Sequence, residues 1–343
     1  MSSPSPMNVY FTVDTESSLA GAWQHPDRRP LKADRHVFCR VGGKDYGVGL
    51  ITDILARYGF SATHFVETLA TMTNGDDDTR VVFDYLLSRN QDVQLHIHPT
   101  YRFYAEALVA RAAGREYRPP ESNDFISTFS EERQMEFLGQ AALLFERFAG
   151  TGPVAFRAGS YAANRATLRC LAKLGILLDT SFNPCYPELS FAQETLELNR
   201  VSRIEDVWEI PVTVARTPLH EGEARLKPAD PCALSVRELR TMLENGAAAG
   251  QRHFVIVFHC FSAVKVKDET YSDMRPDRIV IRRLEKLAGY IALRPNLYRV
   301  STFAQLAQDL PSPERTKPAV AELGLLAAGL RKSVQGINRL YWI

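Results

Sequence analysis

Apolar positions along the chain follow two alternating rhythms, and their order predicts the fold. Residues 8–13, Asn-Val-Tyr-Phe-Thr-Val, are β-branched and aromatic and read as a buried strand that ends in Asp14-Thr15-Glu16. A long loop containing Gly and Pro covers 17–47. Leu50, Ile51, Ile54 and Leu55 then recur at the i, i+3, i+4 spacing of a helix closed by Gly59, and a second strand follows over 62–66. The unit repeats with a helix over 78–88, a strand over 93–98, a long loop carrying Tyr101 and Tyr104, and a helix over 130–148. A strand at 154–156, a helix over 164–174 and a strand at 176–178 come next, then a strand candidate at 208–213 and a helix over 235–249. The longest apolar strand, 254–258, a helix over 277–293 and a strand at 297–300 complete the pattern. About eight strands alternating with helices predict an α/β protein, a parallel sheet or barrel, because parallel neighbours need a crossover between them.

The polar residues that interrupt this pattern are placed regularly. Side chains alternate across a strand, so His96 and His98 share one face while Leu95 and Ile97 share the other, and Pro99 ends the ladder because it has no N–H. Asp14 and Glu16 are likewise two apart where the first strand runs out. Arg157, Asp179 and His259 follow or end later strands. All seven therefore fall at or just past C-terminal strand ends, the rim on which α/β proteins build their sites. Two imidazoles beside carboxylates are metal-binding chemistry.

Composition narrows the picture without redirecting it. The 343 residues suffice for one large barrel, and a net charge of +1 gives no electrostatic case for nucleic acid. Met1–Pro6 lacks the basic and apolar run of a signal peptide, and no window approaches the roughly 18 apolar residues of a membrane span, so the expected location is cytoplasmic. Cys39, Cys170, Cys185, Cys232 and Cys260 are scattered with no C-x-x-C pair, which argues for reduced thiols.

Five motifs in order resemble those of the polysaccharide deacetylase family, built on the NodB homology domain, over about residues 8–302. Phe11–Glu16 is similar to the first motif, Gly59–Val66 to the family's second strand, His96–Pro99 to a shortened second motif, Phe156–Tyr161 to the third, and Phe258-His259 to the fifth. Two departures mark a divergent branch: acid–x–acid in place of adjacent aspartates, and His-x-His in place of histidines four apart. The resemblance implies a distorted (β/α)7-8 barrel and metal-dependent hydrolysis of an N-acetyl amide on an amino sugar of a glycan or glycan precursor. It implies Glu16, His96 and His98 as ligands of zinc, or of cobalt or manganese, and Asp14 as general base oriented by Arg157. His259 would be the acid, held by Asp179, with Tyr161 at the oxyanion and Tyr101 at the sugar. Trp23, Tyr104 and Tyr186 are further candidates for stacking on sugar rings, and His25, His36, His64, His220 and His253 read as structural or surface residues. Alternatives on the same fold are an amidohydrolase of a small non-sugar amide and an inactive glycan-binding protein.

Residues 1–310 are expected to form the barrel and 311–343 a helical tail. In the tail Leu323, Leu326, Leu330, Val334, Ile337 and Tyr341 recur at helical spacing among Arg331, Lys332 and Arg339. Docking of that stripe on the barrel is the favoured expectation; contact of 318–343 with a membrane surface or another subunit is the alternative.

Overall fold

The computed structural model describes residues 5–121, 123–191, 196–218, 225–312 and 318–340; His220 and Tyr341 lie outside them. In chain order the strands are β1 Met7–Thr15, β2 Thr63–Glu67, β3 Asp92–Ile97, β4 Ala155–Ala158, β5 Leu178–Asp179, β6 Ser202–Ile204 and β7 Val207–Glu209. They continue with β8 Val214–Thr217, β9 Arg225–Pro228, β10 His253–His259, β11 Val264–Val266, β12 Met274–Pro276 and β13 Tyr298–Val300. One sheet runs β10-β1-β2-β3-β4-β5-β7-β6, with β13 also on β1. It is parallel except for the terminal β6–β7 pair.

The sheet curls until irregular backbone bridges the gap between its ends. Val212 N–H donates to Phe182 O at 2.9 Å, Thr213 N–H to Val255 O at 3.3 Å, and Val257 N–H to Ala229 O at 3.0 Å. The result is the expected distorted α/β barrel. The strand predicted over 208–213 stops at Glu209, two residues before Pro211, which cannot donate to a ladder.

Strand alternation divides the core in two. Val9, Phe11 and Val13 face outward with Leu95, Ile97 and Phe156 and pack beneath the helices. Tyr10 faces inward with Phe65, Leu178, Trp208, Val255 and Val257, closed below by Phe303. Thr12, Asp14, Arg157 and His259 are in inward register with this second set, so they stack above it toward the rim.

Two elements depart from expectation. The loop predicted to carry Tyr101 and Tyr104 is a helix, Thr100–Ala112, in which both tyrosines are buried. Pro99 ends the strand and also starts this helix, where its fixed φ suits the first turn. The tail forms the helix Leu325–Leu340, but it is the polar stripe that docks. Arg331 is buried against Glu238 at 3.1 Å, while Leu326 is 82% and Leu330 64% exposed.

A buried histidine sets an acid limit on stability. His64, on the outward face of β2, meets Thr15 Oγ1 at 3.0 Å through Nδ1, and its Nε2 has no partner among the described residues. Burial pushes its pKa down to about 3. The unfolded chain therefore binds a proton near pH 6.5 that the folded chain refuses, and stability falls as pH drops from about 6.5 toward 3, by on the order of 5 kcal/mol from this group. Denaturant unfolding at pH 7, 5 and 4 should show this loss in the wild type and a shallower one in His64→Leu.

Candidate metal centre and active site

Glu16, His96 and His98 converge at the C-terminal ends of β1 and β3, with one donor atom of each within 4.8 Å of the others. Glu16 Oε2 lies 3.2 Å from His96 Nε2 and 2.8 Å from His98 Nε2. Each imidazole is fixed from behind through its other nitrogen. His96 Nδ1–H donates to Arg157 O at 2.7 Å, and His98 Nδ1–H meets the Asp124 carboxylate at 2.9 and 3.0 Å. Both Nε2 atoms thus point toward Glu16, the tautomer and aim that a metal ligand needs.

The backbone around the cluster is specialised to hold it. His36 Nδ1–H donates to Glu16 O at 2.7 Å, and the Cys260 thiol meets the same carbonyl at 3.4 Å. His98 N–H donates to Glu67, a buried carboxyl that burial pushes up to about 8, partly offset by His98. At Gly159 an added Cβ would sit 2.6 Å from His98 Nδ1, so only glycine lets β4 turn beneath that ring. Ser160 and Tyr161 follow with φ of +54° and +58°, a left-handed pair that non-glycine residues rarely adopt and that clusters at functional sites.

Electrostatics tie the three candidate ligands together. Burial alone would raise Glu16, but the charge of His98 and the two imidazole nitrogens that face it hold its carboxyl well below the usual range. Burial likewise opposes charge on His98, yet Asp124 and Glu16 hold its pKa well above that of a free imidazole. Two anions thus compete to charge a group whose Nε2 already has its acceptor. A divalent cation between these atoms would relieve that demand, so the donor set fits a metal. Asp124→Ala should weaken metal affinity about 10–100-fold without unfolding the protein, measurable by competition with a chromogenic chelator.

Beside this cluster, Arg157 is fully buried and committed on every side. Nη1 donates to Asp14 Oδ1 at 2.6 Å, Nη2 to Thr12 Oγ1 at 2.9 Å, and Nε to Thr180 O at 3.2 Å, with the guanidinium 4.5 Å above the Phe65 ring. Asp14 Oδ2 is left facing His259 Nε2 at 3.8 Å, beyond hydrogen-bond length. Asp14 is in register with His259 across β1 and β10.

Asp179 is not where the sequence reading put it. Leu178 points into the barrel, so Asp179, one residue on, points out: it accepts from Ser181 Oγ at 2.7 Å and is paired in register with Glu209. Burial, and then the charge of Asp179, raises Glu209 well above the carboxylate range. Asp230, past β9, is a buried acid raised by burial, with the Cys232 amide and the His259 charge partly offsetting this. Tyr101 is buried beside Glu67, Glu16 and Asp124 and is closed to a sugar ring. Tyr161 is buried and stacks at 5.5 Å on Tyr186, which is 47% exposed. Trp23 donates to Thr100 Oγ1 at 3.0 Å and borders an open cleft of about 800 Å³ with Tyr117, Arg111, Arg118 and Asn123, the residue before Asp124.

No family model matches the sequence, and no curated protein is similar to it in sequence. Solved structures do share the fold. A protein assigned as a polysaccharide deacetylase from Mycobacterium smegmatis is 14% identical, with a TM-score of 0.53 over 93% of this chain and 99% of that one. A protein assigned as a glycoside hydrolase/deacetylase from Parabacteroides distasonis is 12% identical, with a TM-score of 0.54 over 89% of this chain and 71% of that one.

Proposed function

We propose that this chain, which has the polysaccharide deacetylase fold, hydrolyses the N-acetyl amide of an amino sugar in a glycan or glycan precursor and releases acetate. The observation that carries this reading is the convergence of Glu16, His96 and His98 on one rim, with the Arg157–Asp14 pair and His259 beside them. A divalent transition metal, zinc or else cobalt or manganese, would be held by Glu16, His96 and His98 and would supply Lewis-acid polarisation and acidify water.

The remaining chemistry belongs to the chain. Asp14 takes a proton from the attacking water on Oδ2, the oxygen that Arg157 leaves open, while Arg157 fixes the aim of the carboxylate through Oδ1. His259 donates a proton to the nitrogen as the C–N bond breaks, giving acetate and a free amine. In this reading the N–H of Tyr161 is the oxyanion donor, and the left-handed turn that presents it is the reason for the strain there.

The test is metal content by elemental analysis together with acetate release, wild type beside His96→Ala/His98→Ala. We expect about one transition metal per chain and acetate release from acetylated amino sugars, both lost in the double variant. A wild type that takes up no metal even with added zinc would overturn the hydrolase reading and leave a glycan-binding protein.

A further inference from the structure

Two carboxyls lie side by side on the outward face of the sheet. Asp179 on β5 and Glu209 on β7 are in register on neighbouring parallel strands, and both are fully buried. Residues so paired leave the sheet on one face, about 5 Å apart. Among the described residues no cation pairs with either carboxyl. The helix Arg165–Lys173 packs on β7 and buries Thr167, Leu168 and Leu171 with Cys170, a thiol that burial keeps neutral, at about 11. It holds Arg165, Arg169 and Lys173 at its surface, paired with Glu205 and Glu131. On β6, Arg203 pairs with Asp206 in solvent, and past β5 Glu188 is exposed and Cys185 is kept neutral by burial. Arg157 acts on the pair from the inward face, where its guanidinium meets Asp14.

The two carboxyls grip the turn that follows β5. Asp179 accepts Ser181 Oγ–H at 2.7 Å and Ser181 N–H at 3.3 Å, and Glu209 Oε1 accepts Phe182 N–H at 2.9 Å. Thr180, the residue before them, accepts Arg157 Nε–H on its carbonyl at 3.2 Å and Nη2–H on Oγ1 at 3.4 Å. The carboxyls therefore hold the turn, the turn holds Arg157, and Arg157 aims Asp14. One atom is left over: Glu209 Oε2 is buried with no donor among the described residues, although the Asp179 carboxyl is within hydrogen-bond reach. Two carboxylates cannot satisfy it, since neither has a proton to give and their charges repel in a dry site.

We propose that Asp179 and Glu209 hold one proton between them, donated from Glu209 to Asp179, and that this proton keeps the Thr180–Phe182 turn in place against Arg157. Both are then positioning residues that act on Asp14 through Arg157, and their bearing on turnover rests on the hydrolase reading above. A carboxyl O–H satisfies Oε2 and replaces repulsion by a hydrogen bond. Burial and the charge of Asp179 both favour the proton on Glu209. Its loss at alkaline pH would force apart two groups that hold consecutive amides, and Thr180 would move with them.

Glu209→Gln tests this, because its amide donates to Asp179 as the acid does and has nothing to titrate. The folded wild type keeps a proton that the unfolded chain releases near pH 4.3, so its stability falls as pH rises above that value. The denaturant midpoint of Glu209→Gln should therefore gain on that of wild type from pH 5 to pH 9. At pH 7 the infrared difference between the two should contain the C=O band of a protonated carboxyl. The Arg157 Nε–H resonance, identified by its loss in Arg157→Lys, should show a shift in wild type between pH 7 and 10 that Glu209→Gln lacks. Glu209→Ala should lower kcat about tenfold or more with KM and metal content little changed, and Glu209→Gln should recover most of that loss. A stability difference that ignores pH, or a carboxylate band alone, overturns the shared proton. An Arg157 resonance that shifts alike in both proteins, or wild-type kcat in Glu209→Ala, overturns the positioning role. Either result with intact acetate release leaves the proposed hydrolase standing. A wild type that releases no acetate, with the acid band and the Arg157 shift present, removes the hydrolase reading and supports the shared proton and its hold on Arg157.

Discussion

Asp14→Asn is expected to lower turnover of an acetylated amino sugar by about 10²–10⁴-fold while the protein keeps its metal. Asparagine preserves the shape of the carboxylate and the oxygen that meets Arg157 Nη1, but it cannot accept a proton from water. Asp14 is not one of the converging donors, so metal content should not follow activity down. The same change leaves the buried Arg157 cation without its anion, at a cost of roughly 3 kcal/mol, so rates must be referred to the folded fraction. Glu16→Gln separates the two acids, because it should lose metal and activity together. Elemental analysis beside acetate release reads both variants. Wild-type turnover in Asp14→Asn would remove Asp14 as the base.

How far the sequence carried this site depends on strand parity. His96 and His98 were legible because residues two apart on a strand share a face, and Asp14 with Glu16 for the same reason. The Arg157–Asp14 pairing, implied by the resemblance, is present at 2.6 Å. Asp179 was misplaced by one parity step, since a two-residue strand gives too short a pattern to fix which of Leu178 and Asp179 faces in. Asp124 was invisible. It comes from an irregular segment 26 residues past His98, where no periodicity marks a polar residue as facing the site. His36 was read as structural, and its grip on the Glu16 carbonyl arises from the short helix Ala33–His36, inside the stretch predicted as loop, which only the tertiary fold brings back to β1.

The tail shows the limit in another form. Helical spacing revealed that Leu326, Leu330, Val334 and Ile337 share a face, and the helix is there. Spacing cannot say which face docks. That was decided by Glu238, whose place on the helix Val236–Ala248 buries it and so demands a cation, which Arg331 supplies.

Arg157→Met should be the most destabilising single change at the site, at about 3–5 kcal/mol, with activity lost as well. The guanidinium is 0% exposed and satisfies three groups at once, Asp14, Thr12 and the Thr180 carbonyl, while stacking on Phe65. Methionine fills much of the volume but leaves Asp14 a buried, unpaired anion, which can escape only by protonation and then cannot act as a base. Arg157→Lys distinguishes charge from geometry. An ammonium keeps the cation near Asp14 and should recover part of the stability, but a point charge cannot reproduce the planar fork that aims one carboxylate oxygen while leaving the other open. Denaturant unfolding should therefore rank wild type above Lys and Lys above Met, whereas acetate release should be low in both variants. Activity in Arg157→Lys close to wild type would mean that Arg157 serves the fold alone, and that the aim of Asp14 is set by β1 without it.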